Sequence, residues 1–159
     1  MKDLIVFYSL EGNTKQAAEK IANILNADIL QLKTVKEIPK NNMKFFIGGM
    51  QAMFGICARI EAIDIDFGKY DRIILGTPVW ANKAAPAVNT FLKNYNVKDK
   101  VTALFTCSGV GDNEKCVRHL KKKLNNLKAS VALADRHSPI SSENDKRLES
   151  FLEELTGGK

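Results

Sequence analysis

The chain has 159 residues, of which 45% are apolar and 26% charged, and 24 basic against 18 acidic residues give a net charge of +6. This length fits one domain, which we expect to span residues 1–159, and the composition excludes a disordered or collagen-like chain. No apolar stretch approaches the roughly 20 residues of a membrane span, and the start of the chain lacks the features of an export signal. We therefore expect a cytoplasmic protein without a membrane span.

Apolar runs typical of β-strands alternate with helix-period segments along the whole chain. The predicted strands are Leu4 to Ser9, Asp28 to Lys33, Arg72 to Gly76, Val101 to Cys107 and Ser130 to Ala134. Residues 4–8, 73–75 and 101–105 are nearly continuous in apolar character, as expected of interior strands covered on both faces. The pattern predicts an α/β fold with a doubly wound parallel sheet of five strands and about five helices.

Apolar stripes at helical spacing predict the helices between these strands. They consist of Ala17, Ala18, Ile21, Ala22 and Leu25; of Val88, Phe91, Leu92 and Tyr95; of Cys116, Val117, Leu120, Leu124 and Leu127; and of Leu148, Phe151, Leu152 and Leu155. The third helix, within Lys115 to Lys128, has a basic face that is either simply solvated or a docking surface for an acidic partner or an anionic membrane. Ser142 to Asp145 predicts a capping box for the last helix.

The connection from Thr34 to Tyr70 is longer than a crossover requires. Its middle, Met43 to Gly55, is rich in Phe and Met and contains Gly48, Gly49 and Gly55. Two interpretations remain open. The segment is either a helix with a packed connection, or a mobile wall beside a ligand that the glycines allow to bend.

The segment Ser9-Leu10-Glu11-Gly12-Asn13-Thr14 lies at a predicted strand-to-helix junction. The free N–H groups of a first helical turn and the helix dipole favour an anion there. Gly12 allows close backbone approach, and the side chains of Ser9, Asn13 and Thr14 are short hydrogen-bond donors. These residues predict a phosphate site. No G-x-x-x-x-G-K pattern is present, so the loop does not match a nucleoside-triphosphate loop.

The run from Ile5 to Thr14, continued by Ala18 and Ile21, resembles the flavodoxin signature at its fixed positions. This resemblance implies a noncovalently bound FMN whose phosphate contacts Ser9, Leu10, Glu11, Gly12, Asn13 and Thr14. It also implies the strand order 2-1-3-4-5 in a three-layer α/β/α sandwich. The flavin carries the chemistry in this family, so we expect no catalytic side chain.

Two further segments are similar to the other flavin loops of the family. Residues 76–82 resemble the loop whose aromatic side chain, here Trp80, stacks on the isoalloxazine ring. Residues 106–112 lie where the third loop approaches the pyrimidine edge. The resemblance therefore implies further cofactor contacts at Thr77, Pro78, Val79, Trp80, Ala81 and Asn82 and at Thr106, Cys107, Ser108, Gly109, Gly111 and Asp112.

No motif indicates a metal, hydrolytic or nucleic-acid site. The three cysteines form no C-x-x-C pair and have no histidine at metal-ligand spacing, and Cys107 is expected to be a buried inert thiol. His119 and His137 have no partner visible in the sequence. The basic residues are not interleaved with aromatic side chains that could stack on bases.

The chain departs from the family in two respects that leave its reaction open. It is basic where many flavodoxins are acidic, and residues 106–112 contain no aromatic side chain to close the second ring face. That face could admit a small substrate, or residues of the long connection could cover it. The candidates for such a cover are Phe45, Phe46, Met50, Met53 and Phe54. We also expect the Glu11 carboxylate to face solvent, away from a phosphate dianion.

Three functions remain compatible with these features. The first is an electron carrier that serves a redox partner protein. The second is an FMN-dependent oxidoreductase that passes electrons from NADH or NADPH to a quinone. The third is an interaction domain that has lost its flavin. The sequence gives no oligomeric state.

Overall fold

A six-stranded sheet organises residues 1–36 and 57–157, which are the residues that the computed structural model describes. Its strands are β1 (Asp3–Phe7), β2 (Asp28–Gln31), β3 (Arg72–Trp80), β4 (Lys83–Ala84), β5 (Val101–Ser108) and β6 (Ala129–Ala134). Five are parallel, in the order β2-β1-β3-β5-β6, and β4 pairs antiparallel with the end of β3. Without β4, this is the predicted order 2-1-3-4-5.

Helices cover both faces of the sheet, so the predicted three-layer architecture is confirmed. They are α1 (Asn13–Leu25), α2 (Pro86–Asn94), α3 (Glu114–Lys121) and α4 (Asn144–Thr156). Along β1, Leu4 and Val6 belong to the core under α2 and α3, whereas Ile5 and Phe7 belong to the core under α1 and α4. The apolar run of β1 is therefore needed on both faces, as expected of an interior parallel strand.

The third strand is longer than predicted. It was expected to end at Gly76, but it continues to Trp80 and turns back through Ala81 and Asn82 into β4. Both turn residues have positive φ, 47° and 62°. Alanine rarely adopts this conformation, which is why the sequence did not reveal a two-residue hairpin.

Two helix termini also differ from the predictions. The helix expected to reach Lys128 ends at Lys121, and Leu124 stays buried through a turn in which its N–H donates to the carbonyl of Leu120. The predicted capping box at Ser142 does not form, because a 3-10 turn over Ser141–Glu143 precedes α4 and no side chain caps that helix. Asn144 instead exchanges two 2.8 Å hydrogen bonds with the backbone of Ala134.

Both ends of the long connection are described. Thr34 forms an antiparallel bridge with Ile60, and a 3-10 turn over Phe67–Lys69 leads back to β3. Residues 37–56 lie outside the described residues, and so do the glycine hinges and the aromatic cover predicted there. No helix among the described residues is long and apolar enough to cross a membrane.

A buried ion pair fixes the amino ends of the strands. Arg72 pairs with Asp3 of the neighbouring strand and donates a 2.9 Å hydrogen bond to the carbonyl oxygen of Leu155 in α4. The side chains of Arg72 and Asp3 are only 13% and 8% exposed, and breaking an ion pair this deeply buried is costly. This edge is therefore closed by structural contacts, and the cavity described next lies at the opposite, carboxyl edge.

Candidate functional site

A cavity of about 230 Å³ lies beyond the carboxyl ends of β1, β3 and β5. This is the position expected of a ligand crevice in an open α/β sheet. It brings together the three segments that the sequence predicted. The predicted residues in its wall are Ser9, Leu10, Glu11, Asn13, Thr14, Pro78, Val79, Trp80, Ala81, Cys107, Ser108 and Gly109. Asp135, which the sequence analysis did not single out, lies there too.

The first segment folds as a tight loop that opens α1. The Ser9 hydroxyl oxygen accepts hydrogen bonds from the N–H groups of Gly12 at 3.1 Å and Lys15 at 3.2 Å. Gly12 has φ of 94°, a left-handed conformation that glycine tolerates best, and its carbonyl accepts the first helical bond, from Gln16. The loop therefore presents the amino end of a 13-residue helix to the cavity.

Thr14 combines burial with a place in the cavity wall. Thr14 is 1% exposed, and its side chain forms a hydrogen bond with the thiol of Cys107. Burial raises the pKa of Cys107 to about 12, so this thiol stays protonated at neutral pH and behaves as a small apolar group. This matches the inert role predicted for Cys107.

The second segment is the end of β3 and its hairpin. The Trp80 ring packs edge-on against Tyr8, with ring centroids 5.8 Å apart, and its backbone pairs with Lys83 of β4. Thr77 is buried outside the cavity wall, where its hydroxyl accepts the Ala85 N–H at 3.0 Å and donates to the Pro78 carbonyl at 2.9 Å. Thr77 thus joins the two arms of the hairpin, and Asn82 occupies its exposed turn.

The third segment contributes Cys107, Ser108 and Gly109 to the wall. Its other predicted members, Thr106, Gly111 and Asp112, lie outside the wall. Thr106 is buried inside the sheet, and its hydroxyl lies 3.4 Å from the Val131 carbonyl. The Gly111 carbonyl accepts a 2.9 Å hydrogen bond from Arg147 of α4. Asp112 accepts the N–H of Glu114 at 3.1 Å and so caps the start of α3.

The turn after β6 completes the site. Asp135 donates its backbone N–H to the Ser108 carbonyl at 2.9 Å, and the next residue, Arg136, contacts the loop before α1. Both residues could have been found from the sequence, because β6 was predicted to be parallel and its carboxyl end had to reach the same edge as the others.

Two carboxylates interact at this edge. Burial raises the pKa of Asp135, and the negative charge of Glu11 raises it further. Glu11 is exposed, as expected, but it also lies in the cavity wall and its charge acts on Asp135. Both residues therefore belong to the cavity wall, and the charge of one acts on the other.

Comparison with known proteins identifies the family. The model described as flavodoxin matches residues 2–143. The chain belongs to the flavodoxin family. The resemblance of residues 5–21 to flavodoxins is thereby confirmed. The match covers all three segments of the cavity. The comparison with curated proteins returned no match.

Solved structures agree with this family. A Lactobacillus acidophilus flavoprotein, determined in complex with FMN, is 30% identical, with 92% of this chain and 97% of that chain covered and a TM-score of 0.68. A Bacteroides eggerthii protein (23% identity, 95% and 98% coverage, TM-score 0.75) and oxidised flavodoxin 2 of Bacillus cereus (16%, 100% and 100%, 0.61) share the fold. The cofactor expected from the sequence is the one that the L. acidophilus relative holds.

Proposed function

We propose that this flavodoxin-family protein binds FMN noncovalently in the carboxyl-edge cavity and transfers electrons through it. The observation that carries the proposal is the convergence, in one cavity, of the Ser9 to Thr14 helix-start loop and the aromatic wall formed by Trp80. The FMN complex of the 30% identical L. acidophilus flavoprotein supports the same cofactor.

The chemistry of the loop suits the phosphate group. The first-turn amides of α1 have no intrahelical acceptor, although that of Lys15 donates to Ser9 Oγ, and the helix dipole favours negative charge at this end. The Thr14 hydroxyl and the Asn13 amide add donors from the cavity wall. A Cβ at Gly12 would strain the backbone at φ 94° and disturb the turn that aims these donors.

The opposite wall suits an aromatic ring. Trp80 is partly exposed, and the contact with Tyr8 fixes its ring plane, so it offers a flat surface of defined orientation. Such stacking contributes contact area and geometry that a flexible side chain does not. FMN supplies the redox chemistry when bound, and the protein's part is to orient the ring and set its surroundings.

An electron carrier is the function that these features support best. A carrier requires only that the ring edge be reachable by a partner, and among the described residues a Cβ added at Gly109, beside Ser108 in the wall, would meet nothing within 4 Å.

The small residues of this wall favour one second candidate, an FMN-dependent oxidoreductase that passes electrons from a nicotinamide donor to a quinone. Ser108 and Gly109 are small, and residues 106–112 contain no aromatic side chain to occupy the second ring face. A small substrate could therefore approach that face directly.

One experiment tests both candidates. The purified protein is reconstituted with FMN, and NADH or NADPH oxidation is followed with and without a soluble quinone, and then with a flavodoxin reductase and cytochrome c. The carrier proposal predicts negligible direct turnover and reductase-dependent cytochrome reduction. Rapid quinone reduction without a reductase would select the enzyme, and failure to retain FMN would reject both.

A further inference from the structure

The turn after β6 contacts the loop proposed to bind phosphate. The backbone N–H of Arg136 donates to Asn13 Oδ1 at 3.2 Å, and its guanidinium Nη2 donates to the Glu11 carbonyl oxygen at 3.4 Å. Asn13 and Glu11 both belong to the loop proposed to bind phosphate. Arg136 therefore contacts this loop through both its backbone and its side chain.

The backbone contact fixes the orientation of the Asn13 amide. A backbone N–H can only donate, so the Asn13 atom that faces it must be the oxygen, and the NH₂ group occupies the other branch. Asn13 lies in the wall of the candidate cavity and also in that of a neighbouring cavity of about 280 Å³, which Arg136 helps to line. With its oxygen held by the Arg136 N–H, the group that Asn13 can donate to an anion is its NH₂.

The guanidinium adds a positive charge that forms no ion pair with a described side chain. Lys15 pairs with Glu19 and Lys20 pairs with Asp145, whereas Arg136 forms no ion pair within residues 1–36 and 57–157. Its hydrogen-bond acceptors are the Glu11 carbonyl and His137 Nε2, at 3.4 Å and 3.2 Å. The positive charge is thus held next to the loop proposed to bind phosphate.

We propose that Arg136 is a positioning and specificity residue that makes the site select the phosphorylated flavin, FMN, over riboflavin. Its backbone N–H sets the Asn13 amide as a donor, and its guanidinium brings a positive charge to the Glu11 carbonyl in the same loop. This inference rests on the proposed function, because it assumes that the phosphate lies at the Ser9 to Thr14 loop.

Flavin affinities of matched variants test the proposal. Dissociation constants for FMN and for riboflavin are measured by quenching of flavin fluorescence, at low and high salt, for the wild type, Arg136→Gln and Arg136→Lys. Arg118→Gln is the control, since Arg118 is also an exposed arginine, on α3, and is paired with Glu114. Circular dichroism and the thermal midpoint establish that each variant is folded.

Arg136→Gln is expected to weaken FMN binding about three- to tenfold at low salt, which is the range for a partly screened charge interaction. Riboflavin binding should change less than about twofold, and high salt should reduce the FMN effect. Arg136→Lys should retain part of the preference for FMN over riboflavin, because lysine keeps the positive charge but lacks the planar guanidinium group. Arg118→Gln should leave both constants unchanged.

A second variant tests the backbone contact. Asn13→Asp keeps an oxygen for the Arg136 N–H but replaces the NH₂ donor with a negative oxygen, so FMN binding should weaken more than in Asn13→Ala while riboflavin binding changes little. Equal losses for both flavins, or an unchanged FMN constant in Arg136→Gln, would overturn the inference while leaving the FMN site intact. A wild type that binds neither flavin would reject the proposed function itself.

Discussion

The rings of Tyr8 and Trp80 meet edge to face, at an interplanar angle of 88° and a centroid separation of 5.8 Å. Tyr8 follows β1 directly and is buried, whereas Trp80 ends β3 and lies in the cavity wall. Edge-to-face pairs of this kind prefer a defined geometry. The rigid core of the sheet thereby sets the plane of the side chain proposed to stack on the flavin.

Replacing Trp80 should weaken the binding of FMN and of riboflavin to the same extent. Trp80→Ala removes the stacking wall, and we expect FMN and riboflavin affinities to fall by about 10- to 100-fold, the equivalent of roughly 1.5 to 3 kcal/mol for a buried aromatic contact. Trp80→Phe should recover most of this loss. Titration calorimetry gives the dissociation constants of both flavins. An unchanged affinity in Trp80→Ala would show that the isoalloxazine ring does not stack on Trp80.

Replacing Thr14 should act on the phosphate alone. Thr14→Val keeps the volume of a fully buried side chain and removes only its hydroxyl, so the fold should survive. A hydrogen bond to a charged group is worth about 1.5 to 3 kcal/mol, so FMN should bind roughly 10- to 100-fold more weakly while riboflavin is unaffected. Equal effects on the two flavins would show that Thr14 supports the pocket generally.

Gly12 and Gly109 form a matched pair for testing backbone conformation. A Cβ meets no atom within 4 Å at either position, but only Gly12 has a left-handed φ, of 94°. Gly12→Ala should therefore lower the free energy of unfolding by about 1 to 2 kcal/mol and weaken FMN binding, whereas Gly109→Ala should change stability little. Urea denaturation of the two flavin-free variants measures this difference. Comparable losses would contradict the role assigned to the Gly12 turn.

Asp135 should make stability depend on pH. Its pKa is raised in the folded protein by burial and by Glu11, so the folded state binds this proton more tightly than the unfolded state, where the pKa is 3.8. The contribution of Asp135 to the free energy of unfolding is therefore fully present below pH 3.8, and it is lost as the pH rises through the raised pKa. Asp135→Asn removes this loss.

We therefore expect Asp135→Asn to raise the urea midpoint of the flavin-free protein at neutral pH, by an amount that shrinks as the pH approaches 3.8. Glu149→Gln, exposed on α4, is a control for the loss of one negative charge. A pH-independent gain in Asp135→Asn, or the same gain in the control, would show that burial of Asp135 is not the cause.

The sequence predicted the parallel sheet and the first two segments of the cavity because each depends on local pattern. Apolar runs such as 4–8 and 73–75 must be covered on both faces, and the helix-start loop carries its glycine and hydroxyl residues in a fixed order. These features need no knowledge of distant residues.

The remaining differences arise from tertiary contacts. The Ala81 turn holds a left-handed φ because β4 pairs back onto β3, which alanine propensity does not reveal. The contact between Arg136 and Asn13 joins residues 123 positions apart. Asn144 binds the backbone of Ala134 across two elements instead of capping its own helix. None of these partners can be read from local sequence.

Competitive binding of FMN and riboflavin to the flavin-free protein tests the central claim most directly. Isothermal titration at low salt should give one FMN per chain, bound at least about tenfold more tightly than riboflavin, because the loop from Ser9 to Thr14 recognises the phosphate. No binding of FMN, or equal affinity for the two flavins, would contradict the assignment of that loop.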